Sequence, residues 1–135
     1  MKRQSLRDQL IRHEGLRLKP YRDTVGKLTI GVGRNIEDVG ITQQEAMMLL
    51  NNDIQRCIDE LNRAFPWFEH LSSERQRALI DMCFNLGITR LLGFKKMLAA
   101  LEAGDYVRAA REALDSRWAN QVGRRADTIA NMIRR

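Results

Sequence analysis

The sequence predicts an α+β fold that is mainly α, in which a small β-hairpin lobe and a helical-bundle lobe are joined by a long helix. Apolar residues recur at helical spacing over most of the 135 residues. The exception is the stretch 19–35, where glycines interrupt an alternating apolar pattern. Two Ser/Thr-x-x-Glu/Gln capping boxes, Thr42–Glu45 and Ser73–Gln76, mark the starts of two helices.

These signals divide one predicted domain, 1–135, into consecutive parts. We expect a small α/β lobe at 14–41, a connecting helix at 42–63 and a helical lobe at 64–135. An amphipathic first helix within 1–13 is expected to pack on the helical lobe. Gly87 and Gly104 mark helix ends, and Asp105 marks a helix start. The tail, with Trp118, Ile129 and Ile133 facing inward, is expected to form one or two further helices.

Charge and cysteine content narrow the function. The chain carries 23 Lys and Arg against 17 Asp and Glu, a net charge of +6, which favours an anionic partner such as nucleic acid, membrane lipid or a cell-wall polymer. Cys57 and Cys83 lie in apolar helical patterns and are expected to be buried thiols. Without a second cysteine pair or nearby histidines they predict no metal site, and nothing calls for a cofactor.

Two acidic residues in the first 25 positions could do chemistry. Glu14 lies where the first helix ends and Asp23 where the sheet begins, with Gly15 and Pro20 between them. Such a chain can fold back so that the two carboxylates face each other across a gap, as glycoside hydrolysis requires. Taken alone, the pair is weak evidence, because most acid pairs at such spacing are solvated surface charges.

A longer pattern around these residues resembles a known family. The pattern E-G-x-x-L-x-x-Y-x-D…G-x-x-T-I-G-x-G is similar to the signature of the phage-type lysozymes, endolysins of glycoside hydrolase family 24. The stretches D-M-C-F-N-L-G, G-F and S-R-W-x-N-Q…R-R-A resemble the helical lobe of that family in order and spacing. The resemblance covers about 14–33 and 72–126, and it implies a lysozyme-like fold.

The resemblance also implies roles for individual residues. Glu14 would be the general acid, Asp23 would hold and activate water, and Thr29 would hydrogen-bond that water. Phe84 matches a substrate-binding aromatic of the cleft, although its spacing alone places it in the core. Arg125, with Arg124 as the alternative register, matches a supporting basic residue that forms an ion pair with the catalytic glutamate.

The sequence departs from the family pattern in two places. Arg34 stands where the family usually has histidine, and we expect it to be structural, paired with Glu14, Glu37 or Asp38. The segment between Gly33 and Ile41 is short, so the small lobe is reduced and its substrate contacts cannot be transferred.

The resulting prediction is a muramidase that cuts the β-1,4 bond between N-acetylmuramic acid and N-acetylglucosamine in peptidoglycan and so lyses the host cell. The alternatives are a lytic transglycosylase and a basic membrane-active or nucleic-acid-binding protein, and the arginines of 117–135 support contact with anionic outer-membrane lipid. We expect a monomer that does not bind nucleic acid. With no apolar signal segment visible, we expect it in the host cytoplasm until release to the periplasm, which the resemblance assigns to a holin.

Overall fold

The computed structural model describes residues 1–135 as nine helices, one 3-10 turn and a three-stranded sheet. In chain order these elements are α1 (Arg3–Glu14), β1 (Arg17–Arg22), β2 (Leu28–Gly31), β3 (Arg34–Asn35), α2 (Ile36–Val39), α3 (Gln43–Ala64), the 3-10 turn Phe68–His70, α4 (Ser73–Leu86), α5 (Ile88–Leu91), α6 (Lys95–Ala103), α7 (Tyr106–Leu114), α8 (Arg117–Val122) and α9 (Arg124–Arg134). The mainly α prediction is confirmed. None of the helices combines the length and apolarity that a membrane crossing requires.

Contacts between residues divide the chain into two units, Met1–Met48 and Leu49–Arg135. The first unit contains the antiparallel sheet, with strand order β1-β2-β3. Tyr21 pairs with Thr29 across β1 and β2, and Ile30 pairs with Arg34 across β2 and β3. The predicted three-part division and the packing of residues 1–13 stay predictions.

The start of α3 confirms the first capping box. The Thr42 hydroxyl accepts a hydrogen bond from the Glu45 N–H at 3.0 Å, and the Glu45 carboxylate accepts one from the Thr42 N–H at 2.8 Å. Two backbone donors that the helix leaves unpaired are thereby satisfied. The second predicted box does not form. Ser72 and not Ser73 caps α4 by accepting from the Arg75 N–H, and the Gln76 amide donates to the carbonyl oxygens of Phe68 and Glu69.

The core of the second unit is formed by residues of α3 to α9, and its fully buried side chains include Leu61, Leu79, Met82, Leu91, Met97, Leu101, Ile129 and Ile133. Trp118 is 3% exposed, so the predicted burial of Trp118, Ile129 and Ile133 is confirmed. Cys57 and Cys83 are free and buried, also as predicted. The tail forms two helices, α8 and α9.

Candidate active site

Glu14 ends α1 and lies directly over the turn that follows β2. A Cβ atom added to Gly33 would stand 2.6 Å from Oε2 and 2.9 Å from Cδ of Glu14. Gly33 also has a φ of +61°, which L residues rarely adopt. Glycine at position 33 therefore allows the carboxylate to approach the backbone. Glu14 is exposed, in an open cavity of about 530 Å³ that also contains Arg7, Leu10, Ile11 and Val32.

Asp23 follows β1 and organises the turn that leads to β2. Its Oδ1 accepts hydrogen bonds from the backbone N–H groups of Val25, at 3.0 Å, and Lys27, at 2.8 Å. Aspartate favours this arrangement because its short side chain reaches the backbone of the residues just after it. Both bonds go to Oδ1, which leaves Oδ2 available to a ligand.

Thr29 is the one buried polar residue of the chain, at 3% exposed. Its hydroxyl donates to the carbonyl oxygen of Lys27 at 2.8 Å. The same carbonyl accepts from the Asp23 N–H at 2.9 Å, and the Lys27 N–H donates to Asp23 Oδ1. Asp23 and Thr29 are therefore held through one shared residue. Because the Thr29 proton is already used, its oxygen is oriented to accept a hydrogen bond.

The short segment after Gly33 braces the same turn from outside. Glu37, on α2, accepts from Arg22 at 3.0 Å and lies 3.6 Å from the Lys27 ammonium. Asp38 pairs with Lys27 at 3.2 Å. These pairs are exposed and individually weak. They join the reduced segment to both ends of the turn that carries Asp23.

Arg34 does not use any of the three partners that the sequence suggested. Its guanidinium pairs with Glu45 at the start of α3, with N–O distances of 3.0 and 2.8 Å, and donates to the carbonyl of Gly40 at 3.1 Å. The two parallel contacts to Glu45 match the planar fork of a guanidinium. Arg34 thus joins β3 to the first turn of α3, which agrees with the structural role expected of it.

Phe84 and Arg125 line one groove of the second unit. The groove is about 330 Å³ and also contains Leu50, Ile54, Arg77, Ile80 and Asp81. Phe84 is 45% exposed, so the core position that its spacing suggested is wrong. Arg125 makes two contacts with Asp81, at 2.8 and 2.6 Å. Its predicted pairing with Glu14, which belongs to the first unit, stays a prediction.

Several contributors to these sites are not evident from the sequence. Glu45 is marked there only as part of a helix cap and Asp81 only as part of a family motif, while the Lys27 backbone carries no motif. A cavity of about 480 Å³ in the second unit is also not evident from the sequence; it is lined by Phe94, Trp118, Glu112, Ser116 and the basic residues Arg90, Lys95, Lys96 and Arg117. The edge-to-face contact of Phe94 with Trp118, with ring centroids 6.1 Å apart, forms part of its wall.

The fold and these residues together define a class of protein. A mainly helical chain with a small antiparallel sheet, and with exposed acidic side chains beside that sheet, is typical of the lysozyme class of glycoside hydrolases.

Comparison with known proteins narrows the class. Residues 11–135 match the family model described as phage lysozyme. The chain is 34% identical to an endolysin of Acyrthosiphon pisum secondary endosymbiont phage 1, over 92% of this chain and 84% of that protein. It is 33% identical to the SAR-endolysin of Escherichia phage Mu, over 93% and 72% respectively. It is also 33% identical to the pre-baseplate central spike protein of Enterobacteria phage T4, over 96% of this chain but 27% of that protein.

The chain belongs to the phage lysozyme family. It is accordingly a glycoside hydrolase whose substrate is peptidoglycan. The resemblance found in the sequence motifs is confirmed.

Proposed function

We propose that the protein is an endolysin muramidase that hydrolyses the β-1,4 bond between N-acetylmuramic acid and N-acetylglucosamine. The observation that carries the proposal is the joint placement of Asp23 and Thr29 through Lys27. It provides a carboxylate oxygen and a hydroxyl acceptor in one fixed arrangement. A carboxylate and a hydroxyl held in this way suit the binding of one water molecule.

In the proposed mechanism Glu14 is the proton donor. It protonates the glycosidic oxygen as the bond from that oxygen to the anomeric carbon breaks. A water molecule forms the new bond to the anomeric carbon and gives its proton to Asp23. Thr29 accepts a hydrogen bond from the same water and fixes its direction. If water attacks the face opposite the leaving group, the anomeric centre is inverted, which requires carboxyl groups about 6.5–9.5 Å apart.

The groove that contains Phe84 is the proposed site of sugar binding in the second unit. Its exposed ring offers an apolar face, and Asp81 with Arg125 offers polar groups beside it. This mixture of one aromatic surface and a few fixed polar groups is typical of ligand sites. We assign Arg125 a supporting role, because its guanidinium orients Asp81.

Loss of turbidity of outer-membrane-permeabilised bacteria tests the general acid. Glu14→Gln keeps the shape of the side chain and removes its acidic proton, and it should lower the rate by about 100-fold or more. Asp8→Asn is the matched control, since Asp8 is an exposed acid of the same helix whose one contact is with Gln4. Circular dichroism should show both variants folded. A Glu14→Gln variant as active as Asp8→Asn would contradict the proposal.

Nuclear magnetic resonance of the first-formed reducing end tests the stereochemistry. An inverting enzyme acting on a β-linked substrate releases the α-anomer first. An initial β-anomer would contradict the inverting mechanism while leaving the muramidase assignment intact.

A lytic transglycosylase would cut the same bond with one acid and without water. Its product carries an anhydro sugar end, whereas hydrolysis incorporates oxygen from solvent. Mass spectrometry of digests made in isotopically labelled water separates the two. The arrangement of Asp23 and Thr29 favours incorporation of the label.

The biological setting is part of the proposal. We propose that the protein accumulates in the host cytoplasm and lyses the cell after release to the periplasm through a holin. The likeness to a spike protein favours a second setting, in which the domain acts within a larger assembly. Light scattering of the purified chain tests the first setting, which predicts a monomer, and a stable oligomer would contradict it.

Contact with anionic lipid is the remaining proposal for the C-terminal helix. The apolar residues of α9, including Ile129 and Ile133, are buried in the core, so binding would depend on the exposed arginines. Replacing Arg134 and Arg135 by glutamine tests this role. The substitutions should lower lytic activity on whole Gram-negative cells but not on permeabilised cells. Equal activity on whole cells would exclude this role.

A further inference from the structure

Two buried cysteines and a glutamate meet at one point of the second unit. Cys57 and Glu60 are three residues apart and share one face of α3, while Cys83 belongs to α4. The two sulfur atoms and a carboxylate oxygen of Glu60 all lie within 4.8 Å of one another. We propose that these three side chains bind one thiophilic d10 metal ion of the zinc and cadmium type.

The spacing of the three ligand atoms suits such an ion. Zinc–sulfur bonds of about 2.3 Å and zinc–oxygen bonds of about 2.0–2.2 Å place tetrahedral ligand atoms about 3.5–3.8 Å apart. The 4.8 Å limit therefore leaves an adjustment of about 1 Å at most. Rotation of the side chains adjusts the positions of the Glu60 carboxylate oxygen and the two sulfur atoms. Three protein ligands leave a fourth position for water.

The ligand chemistry and the burial of the site point to the same class of ion. Paired thiolates select soft metals over magnesium or calcium. Cys57 and Cys83 are 1% and 2% exposed, whereas the Glu60 side chain is 22% exposed. Glu60 is thus the ligand of the three that has the most contact with solvent.

Arg56 is the group that competes for Glu60. Its guanidinium lies 3.6 Å from Glu60 but only 2.8 Å from Asp53. When Glu60 turns toward the ion, Arg56 keeps its closer partner. The loss is one loose and partly exposed ion pair, a kind of contact that contributes little to stability.

The site escapes sequence analysis because its third ligand is neither cysteine nor histidine. A single glutamate three residues after a cysteine is common in helices and carries no metal signature. The cluster becomes evident only in the structure, where Cys83, 26 positions after Cys57, lies beside Cys57 and Glu60.

Titration of the reduced, chelator-treated full chain with Cd²⁺ tests the proposal. We expect thiolate-to-cadmium charge-transfer absorption that saturates at one ion per chain, together with a higher thermal unfolding midpoint. Cys83→Ala should abolish both effects. Glu60→Gln, a half-buried position where folding is not at risk, should weaken binding at least tenfold. Asp59→Asn, which removes an exposed neighbouring acid, should leave it unchanged.

Three results would overturn the proposal. The first is an absence of charge-transfer absorption in the wild-type chain. The second is equal affinity of Glu60→Gln and Asp59→Asn for Cd²⁺. The third is a lowered unfolding midpoint with Cd²⁺, because the ion would then bind the thiols of the unfolded chain. Displacement of bound Cd²⁺ by Zn²⁺ in the wild-type chain would show that the site also binds zinc, a common biological ion.

Discussion

The carboxylate of Glu14 packs against the backbone of Gly33 so closely that no other residue at position 33 leaves it in place. Gly33→Ala should displace the carboxylate and lower lytic activity about 100-fold, since misplacement by about 1 Å has that effect on catalysis. Because alanine would have to adopt the positive φ of position 33, the substitution should also lower the free energy of unfolding by about 1–2 kcal/mol.

Gly104→Ala is the matched control for that change. Gly104 also has a positive φ, but a Cβ added there meets nothing within 4 Å. Its unfolding free energy should fall by a similar amount while its activity stays near that of the wild type. If both variants lose activity equally, backbone strain and not the contact with Glu14 explains the loss.

Two substitutions at Asp23 separate the charge of the side chain from its structural role. Asn provides the same oxygen to the N–H groups of Val25 and Lys27, so the free energy of unfolding of Asp23→Asn should lie within about 0.5 kcal/mol of the wild-type value. Asp23→Ala loses both hydrogen bonds, so its free energy of unfolding should be about 1–2 kcal/mol lower. Chemical denaturation measures both.

The activities of the same variants complete the comparison. Both should be lowered about 100-fold or more, because both lack the carboxylate. An active Asp23→Asn variant would show that Asp23 shapes the turn and takes no part in the chemistry.

The capping interaction at Glu45 predicts a pH dependence of stability. The hydrogen bond from the Thr42 backbone is the largest effect on this group and, with the Thr42 hydroxyl and Arg34, holds the pKa of Glu45 below its ordinary value, although burial opposes them. The folded chain therefore binds fewer protons here than the unfolded chain in mild acid. The stabilisation is present above the ordinary pKa and is lost as the pH falls through the lowered one.

Glu45→Gln tests this, because glutamine keeps the capping hydrogen bond and removes the charge. Its thermal midpoint should lie below that of the wild type at pH 7, and the two should converge as the pH falls below the lowered pKa of Glu45. Glu102→Gln, at an exposed acid, should follow the wild type throughout. A constant difference between Glu45→Gln and the wild type would contradict the assignment.

Trp118 is the side chain whose removal should destabilise the helical unit most clearly. Its ring is 3% exposed and its Nε1–H donates to Asn85 Oδ1 at 2.8 Å. Trp118→Ala should lower the free energy of unfolding by about 3–5 kcal/mol. Asn85→Ala removes only the hydrogen bond and should lower it by about 1 kcal/mol. A loss below about 1 kcal/mol for Trp118→Ala would mean that the core tolerates the resulting cavity.

Local signals predicted much of the fold. The Thr42–Glu45 box, the stop at Gly87 and the cap at Asp105 depend on residues three or four positions apart, whose interactions are nearly independent of the rest of the chain. The one-residue error at α4 has a simple cause. Ser72 and Ser73 are adjacent, and both have a hydroxyl that can cap a helix.

The partners of the site residues could not be predicted in the same way. Arg34 and Glu45 are 11 positions apart, and Arg125 and Asp81 are 44 apart. Which acid meets which base at these separations is decided by the packing of whole elements. Phe84 shows the same limit for burial, because helical spacing identifies an apolar face but not how much of it is covered.

The link between Asp23 and Thr29 uses only the N–H and carbonyl of Lys27, and this has a consequence for how the position can vary. The Lys27 side chain makes only exposed and individually weak ion pairs with Glu37 and Asp38, so position 27 should accept broad substitution. Proline alone removes the N–H. Selection for lytic activity from a library randomised at codon 27 should therefore recover nearly every residue type and exclude proline.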